Sequence, residues 1–436
     1  MYGMKASMRN VCVTSDLFTE DQTSASVNHI ERFSIEGKII TRTVVLRDGT
    51  ERQSSITVPE ALNDLTDLSN AFDLAWLRSS SLPEINIVES RALRVADLFS
   101  GCGGLSVGLR EACRALGMPV EFVFASDLNE VALDVYKRNF TPQFSSSEPI
   151  ELLLDGKVGT KRTKSELALV SKLGEIDFII AGPPCQGHSD LNNHTRRADP
   201  KNQLVLRVAR FAELFRPKHI LIENVQGIRH DKLGSLGEAM KTLEKLGYAM
   251  SDRVLSADTV GAPQARKRFF LLASQTEVHS LDSIPKFGLK KARTLGWALD
   301  DLLSVQSSHA FDSSASHAAV NKKRIDYLFD NNLYELPNSE RPPCHRDKEH
   351  SYTGVYGRMY WDRPSPTITT GFGSAGQGRF VHPLQRRTLT PHEAARIQFF
   401  PDFFKFGELG RRQYQELIGN AVPSKLAYSI VLNQLR

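Results

Sequence analysis

The sequence predicts an α/β chain built on a mostly parallel, doubly wound sheet, and three observations carry that expectation. From Arg94 onward, short apolar runs alternate with helical patterns. A glycine-rich turn follows the first of these runs. Later runs end in an acid or in a Gly/Pro-stiffened loop, and the C-terminal ends of strands are where such sheets bind ligands.

The bulk properties bound the class. At 436 residues the chain is long enough for two or three domains. Its 41% apolar and 24% charged residues are ordinary for a globular protein, and a net charge of +5 is compatible with a polyanionic partner without demanding one. Five scattered cysteines (12, 102, 113, 185 and 344) suit a reducing compartment better than a disulfide framework. Lacking a membrane-length apolar run and a signal-like N-terminus, the chain is expected to be cytoplasmic.

Residues 1–90 read as an N-terminal extension. Residues 1–30 are polar, and the runs 38–46 and 53–58 flank Asp48-Gly49 as a β-hairpin. Pro59 then opens a helix to about Arg78 that carries Leu62, Leu65, Leu68, Phe72 and Trp76 on one face. That face needs a surface to pack on, and docking against the main body is the expected use. Ser79-Ser80-Ser81 reads as the closing linker.

Residues 91–274 carry the alternating pattern. The run 95–99 reads as a strand, Gly101-Cys102-Gly103-Gly104 as a tight turn and 105–116 as a helix. Residues 121–126 form the next strand, which ends at Asp127 and leads into a helix through Asn139. Further strands are expected at 176–181, 218–223 and 267–273. Glycines let the backbone approach a ligand, and an acid closing the second strand can accept from ribose hydroxyls, so the Gly101–Gly104 turn with Asp127 suggests a nucleotide-like cofactor. The turn is neither Gly-x-Gly-x-x-Gly nor a Walker loop, which speaks against a dinucleotide or a triphosphate.

Chemistry converges on the same rim. The run 176–181 delivers Gly182-Pro183-Pro184-Cys185-Gln186-Gly187-His188-Ser189, placing a thiol at a strand end among polar neighbours. Most free cysteines are small core residues, but prolines before it and polar residues after it argue against a core position. The run 220–222 ends in Glu223-Asn224-Val225, and Gln264-Ala265-Arg266-Lys267-Arg268 sets two arginines at alternate positions on one strand face. Such arginines are usually solvated; near an active rim they suit phosphate or carbonyl oxygens.

Taken together, these stretches resemble the DNA cytosine-5 methyltransferase family. Asp97 to Gly104, Gly182 to Gln186, Glu223 to Val225 and Gln264 to Arg268 match its motifs in their unpermuted order, followed by Arg387 to Arg396 and Gly419-Asn420-Ala421-Val422-Pro423. The resemblance covers about 93–436 and implies a Rossmann-like, S-adenosylmethionine-dependent methyltransferase sheet with a smaller, irregular target-recognition domain at 275–385. It also implies that 386–436 return to the catalytic domain.

It further implies roles. Cys185 matches the nucleophile that adds to C6 of cytosine, Glu223 the buried acid that holds N3 and the exocyclic amine, and Arg266, assisted by Arg268, the support for the ring carbonyl. The base would be flipped out of duplex DNA. Phe99, Ser100, Gly101, Gly103, Asp127 and Leu128, with Asn420 and Val422, would surround S-adenosylmethionine, and Asp155 is the candidate for the adenine. Residues 341–387 interleave basic side chains with Tyr352, Tyr356, Tyr360, Trp361 and Phe372, which suits contacts to phosphates and bases. Cys344, His345 and His350 lack a fourth ligand at metal spacing, so no metal is expected.

The expected activity is therefore methylation of a specific duplex sequence by a monomer from a bacterial restriction-modification system, with a cognate restriction endonuclease as a possible companion. Two alternatives remain: a tRNA cytosine-5 methyltransferase, and a catalytically inactive DNA-binding regulator, against which intact Cys185, Glu223 and Arg266 argue.

Overall fold

The computed structural model describes residues 30–58, 67–184, 203–231, 233–287, 292–347 and 354–436. Cys185 and the rest of its loop therefore lie outside the described residues, as do Cys12, Leu62, Leu65, His350 and Tyr352.

Three antiparallel strands open the described chain: β1 (Glu31–Glu36), β2 (Ile39–Val45) and β3 (Glu51–Thr57). The expected hairpin is the pair β2 and β3, while β1 was not legible because its polar residues do not alternate cleanly with apolar ones. Helix α1 (Leu68–Leu77) starts where the Asp67 side chain accepts from the Asn70 amide.

The main sheet then assembles from β4 (Leu93–Leu98), α2 (Gly104–Leu116), β5 (Val120–Ser126), α3 (Glu130–Phe140) and β6 (Phe144–Ser146). Next come α4 (Ile150–Leu153), α5 (Lys164–Leu173), β7 (Phe178–Ala181), α6 (Val205–Phe215) and β8 (His219–Asn224). Helix α7 (Ser235–Lys245) precedes β9 (Ala249–Ser256) and β10 (Lys267–Ser274). The seven strands run in the order β6-β5-β4-β7-β8-β10-β9. All neighbours are parallel except β10, which is antiparallel to both β8 and β9. The α/β sheet is thus as expected, with two strands added. β6 is only three residues long, and β9 carries a polar run, so neither has the apolar signature of a buried strand.

Side chains that alternate along the strands feed two cores. Phe178, Ile180, Leu221, Phe270 and Leu272 face a core shared with α2 and α3 and with the C-terminal helix α12 described below. Ile179, Ala181, Ile220, Ile222, Phe269 and Leu271 face the layer of α4 to α7.

The N-terminal extension is welded into the first core rather than set apart from it. Phe72 packs edge-on against Phe33, and Trp76 stacks on Phe399. The fully buried Arg42 donates to Ser54, Glu111 and the Tyr428 hydroxyl, and Asp73 is paired with both Arg293 and Lys425. A buried charge is stable only with such partners, so these pairs fix how the extension sits.

Residues 275–385 hold little regular structure: α8 (Leu295–Leu299), α9 (Ala319–Asp330), short 3-10 turns and a small core of Ile325, Leu328, Leu336, Ala375 and Val381. The chain returns through α10 (Pro391–Ile397), whose first turn is closed by a reciprocal Thr390–Glu393 capping box. It touches the preceding segment through Arg396 and Asp301 and through His392 and Asp312. The amphipathic stretch expected at 414–435 is two helices, α11 (Arg411–Asn420) and α12 (Ser424–Leu435). Pro423 accounts for the break, since it has no amide with which to continue α11.

Candidate active site

Parallel β4, β5, β7 and β8 deliver their C-terminal ends to one rim. Because β10 is antiparallel, with Phe269 opposite Asn224, its N-terminal end arrives at that rim as well. The sequence blocks scattered over more than three hundred residues meet there for that reason.

The turn after β4 is held open by unusual backbone. Phe99, at φ 58, and Gly101, at φ 53, both lie in the left-handed region, which is costly for phenylalanine and is characteristic of functional turns. The Ser100 amide donates to Ser126 O, and the Gly101 amide donates to Asp127 Oδ2 at 2.8 Å. The other oxygen of Asp127 accepts from the Asn129 amide at 2.8 Å. Burial raises the Asp127 pKa, and these two amides oppose the shift. Beside it Leu128 is 65% exposed, an apolar face left in the open, and a Cβ built on Gly101 would meet nothing within 4 Å. An exposed aliphatic surface, a carboxylate and an open glycine turn fit the ring, ribose and chain of a nucleoside-like cofactor.

The C-terminal blocks pack against this turn. A Cβ on Gly104 would come within 2.6 Å of Val422 O, so only glycine lets the loop between α11 and α12 seat against the start of α2. Val422 is thereby at the turn, and Asn420, exposed, ends α11 just before it. Gly103 carries a packing constraint. Its Cβ would collide with the Phe140 ring at 2.3 Å, so it packs the turn on α3.

Glu223, at the end of β8, is 8% exposed. Burial raises its pKa, against the pull of Arg268 first and Arg266 second. Its Oε1 lies 3.0 Å from Arg268 Nε. A Cβ on Gly182 would stand 3.6 Å from Glu223 Oε2 and 3.7 Å from Phe99 O, so the glycine turn, the start of the cysteine loop and the acid are neighbours. Asn224 Nδ2 donates to Pro183 O at 3.2 Å, fixing the chain two residues before Cys185.

The two arginines have different partners. Arg266 is 3% exposed, and its Nη1 donates to Ile368 O at 2.5 Å and to Gly419 O at 3.2 Å. Gln264, fully buried, accepts from the Ile368 amide and donates to Gln398 Oε1, while Gln398 donates to Ile418 O. Gln264 also forms a bridge with Ser365. This polar chain rivets four separate blocks together. Arg268, two residues later, is the one at the acid.

Asp155 does not join the site. Its carboxylate accepts from the Thr163 and Ser165 hydroxyls at the start of α5, and Arg207 of α6 holds the carbonyls of Leu154 and Gly156. That anchors Asp155 to the helix layer rather than to the β5 rim. Position in the chain alone could not separate it from the residues just after β6, because a three-residue strand leaves almost no pattern. Among the described residues no three His, Cys, Asp or Glu side chains are grouped to hold a metal, and no helix is long and apolar enough to cross a membrane.

Comparison with known proteins gives the family and the fold. Residues 93–435 match the family model described as C-5 cytosine-specific DNA methylase. The chain is 54% identical to "Type II methyltransferase M1.BsuMI" of Bacillus subtilis over 94% of this chain and 96% of that protein. It is 30% identical to "Type II methylase M.HgiDII" of Herpetosiphon aurantiacus over 76% of this chain and 92% of that one. Among solved structures, a DNA modification methyltransferase from an E. coli prophage superposes with a TM-score of 0.55 at 24% identity, covering 78% of this chain and 98% of that one. At that identity the superposition speaks for the fold alone.

Proposed function

Because the chain belongs to the C-5 cytosine-specific DNA methylase family, we propose that it moves a methyl group from S-adenosylmethionine to C5 of a flipped cytosine in a specific duplex sequence. Cytosine-5 DNA methyltransferase activity of the type II restriction-modification kind follows from the family; the cofactor, the covalent route and the residues are our reading. The observation that carries it is the Glu223–Arg268 pair beside Gly182, an acid raised by burial next to a guanidinium at the root of the Cys185 loop.

C5 of cytosine is a weak nucleophile. The Cys185 thiolate adds to C6 as Glu223 gives its proton to N3, and the electron pair of the former C5–C6 double bond becomes available at C5. Arg268 supports the ring carbonyl, and its charge also keeps Glu223 from becoming too weak an acid to hand the proton over. Bound S-adenosylmethionine supplies the methyl group. Loss of the C5 proton to a base, expulsion of the Cys185 thiolate and return of the N3 proton restore the aromatic ring and the enzyme.

The Phe99–Gly101 turn, Asp127, Leu128, Asn420 and Val422 hold the cofactor, with Asp127 at the ribose and Leu128 against the ring. For the adenine amine we assign the segment following β6 in place of Asp155. The Asp127 amide donates to Ser146 O, which brings the end of β6 beside Asp127 and makes exposed Glu148 the nearest acid in sequence. Residues 275–385 act as the recognition segment, and a restriction endonuclease of the same specificity is the expected companion.

Bisulfite sequencing of a plasmid propagated with the protein tests the reading. Methylated cytosines in one short recurring context are expected, together with labelled-methyl transfer to duplex DNA in preference to tRNA. Transfer to tRNA alone, or to neither, would overturn it.

A further inference from the structure

The recognition segment contains a stack of rings and guanidinium groups that ends in solvent. Tyr334 and Tyr360 stack at 4.3 Å between centroids with 10° between their planes. Arg358 lies over Tyr334 at 5.0 Å, and Arg379 and Arg363 lie over Tyr360 at 5.6 and 4.1 Å.

What separates the three arginines is how their N–H groups are used. Arg358 is buried and donates to Pro383 O. Arg379 donates to the carbonyls of Tyr334 and Arg358 and pairs with Glu335. Arg363 is exposed, and among the described residues no carboxylate or carbonyl accepts from its side chain. Tyr360 lies under its guanidinium, while among the described residues its donors have no acceptor. A guanidinium held this way has already lost much of its rotamer freedom, so forming a bidentate contact costs little more.

The position is informative as well. The Leu295 amide donates to Arg363 O, and two residues later the Ser365 amide donates to Pro263 O while Ser365 O accepts from the Ala265 amide. Arg363 thus stands where the recognition segment joins the stretch that leads through Arg266 into β10.

We propose that Arg363, set on the Tyr360–Tyr334 stack, grips a backbone phosphate of the target duplex at the junction of the recognition segment with the catalytic rim. The proposal rests on the reading of the protein as a duplex-DNA methyltransferase. A phosphate contact holds the register of the protein on DNA without reading sequence. Arg358 and Arg379 are the internal supports of the stack.

The test is fluorescence-anisotropy binding of the full chain to two unrelated labelled duplexes across a salt series, with methyl transfer followed in parallel. Arg363→Ala should weaken binding to both duplexes by about tenfold and lower the salt slope by about one. Tyr360→Leu should give a similar loss although the charge remains, Tyr360→Phe should bind like the parent, and the double variant Arg363→Ala/Tyr360→Leu should be no worse than either single one. Unchanged thermal melting of Arg363→Ala, an exposed position, separates this from misfolding. A loss confined to one sequence would make Arg363 a base reader, and parental binding by Arg363→Ala or additive losses would remove the stack from the interface; each overturns the proposal. If the parent itself neither binds nor methylates duplex DNA, the underlying reading fails instead.

Discussion

The strand rim and the recognition segment use polar side chains in opposite ways. At the rim, backbone ladders have satisfied the main chain, so the Glu223 and Arg268 side chains are left to pair with each other and Asp127 to hold the glycine turn. In the recognition segment there is little ladder, and arginines stand in for it. Arg324, Arg341, Arg346, Arg358 and Arg379 all donate to main-chain carbonyls within the segment. Buried carbonyls need donors from somewhere, and where no sheet supplies them side chains must. Many of the basic residues that suggest a DNA-binding surface in the sequence are therefore structural, as is fully buried Phe372. Basic composition overstates an irregular domain's contact surface, whereas a strand-end acid is a sharper signal.

The most severe way to break the rim is to remove its nucleophile. Cys185→Ser should lower methyl transfer by on the order of 10⁴-fold or more while S-adenosylmethionine binding, followed by calorimetry, stays near parental. Retained turnover would remove Cys185 from the mechanism.

Next in size is the contrast between the two arginines, which sets a catalytic use against a structural one within three residues. Arg268→Ala should cost about 10² to 10³ in kcat/KM with little change in melting temperature. Arg266→Ala strips a buried donor from Ile368 O and Gly419 O and should destabilise the fold by about 2–4 kcal/mol, seen in denaturant melts. The reverse pattern would restore the assignment drawn from the sequence.

Glu223 gives a smaller effect with a definite sign. Its folded pKa is raised by burial above the ordinary carboxylate value, so the native state holds this proton more tightly than the unfolded chain does. Its contribution to stability is present below the unfolded pKa and is lost as pH rises through the folded one. Glu223→Gln should therefore flatten that part of the stability profile and gain on the parent at neutral pH. In kcat/KM it should remove the limb that falls as Glu223 loses its proton, leaving the rise due to the Cys185 thiolate. A falling limb that persists in the Gln variant would assign the acid elsewhere.

What was legible in the sequence follows from these same causes. Strands buried on both faces need continuous apolar runs, so β4, β5, β7, β8 and β10 were visible, and with them the acids and glycines at their ends. The different surroundings of Arg266 and Arg268 were not legible, because alternation places both on one face and the partners Ile368, Gly419 and Glu223 are remote in the chain. Nor could the sequence show that the N-terminal extension is pinned by Arg42 and Asp73, since neither residue announces its burial. The packing constraint on Gly103 is not legible either, because a turn glycine shows it only once Phe140 is in place.

The smallest effect concerns the adenine side, where one strand of three residues decides between two acids. Asp155 is occupied by Thr163 and Ser165 at the head of α5, so Asp155→Asn should leave the dissociation constant for S-adenosylmethionine within about twofold of parental. Glu148 follows the end of β6, which is hydrogen-bonded to Asp127, and Glu148→Ala should weaken cofactor binding by about five- to tenfold, the worth of one hydrogen bond to an amine. Calorimetric titration of both variants measures the difference directly. A tenfold loss at Asp155 with none at Glu148 would move the adenine across to the helix layer, and the open pocket would then have to extend from Asp127 past β6 to the start of α5.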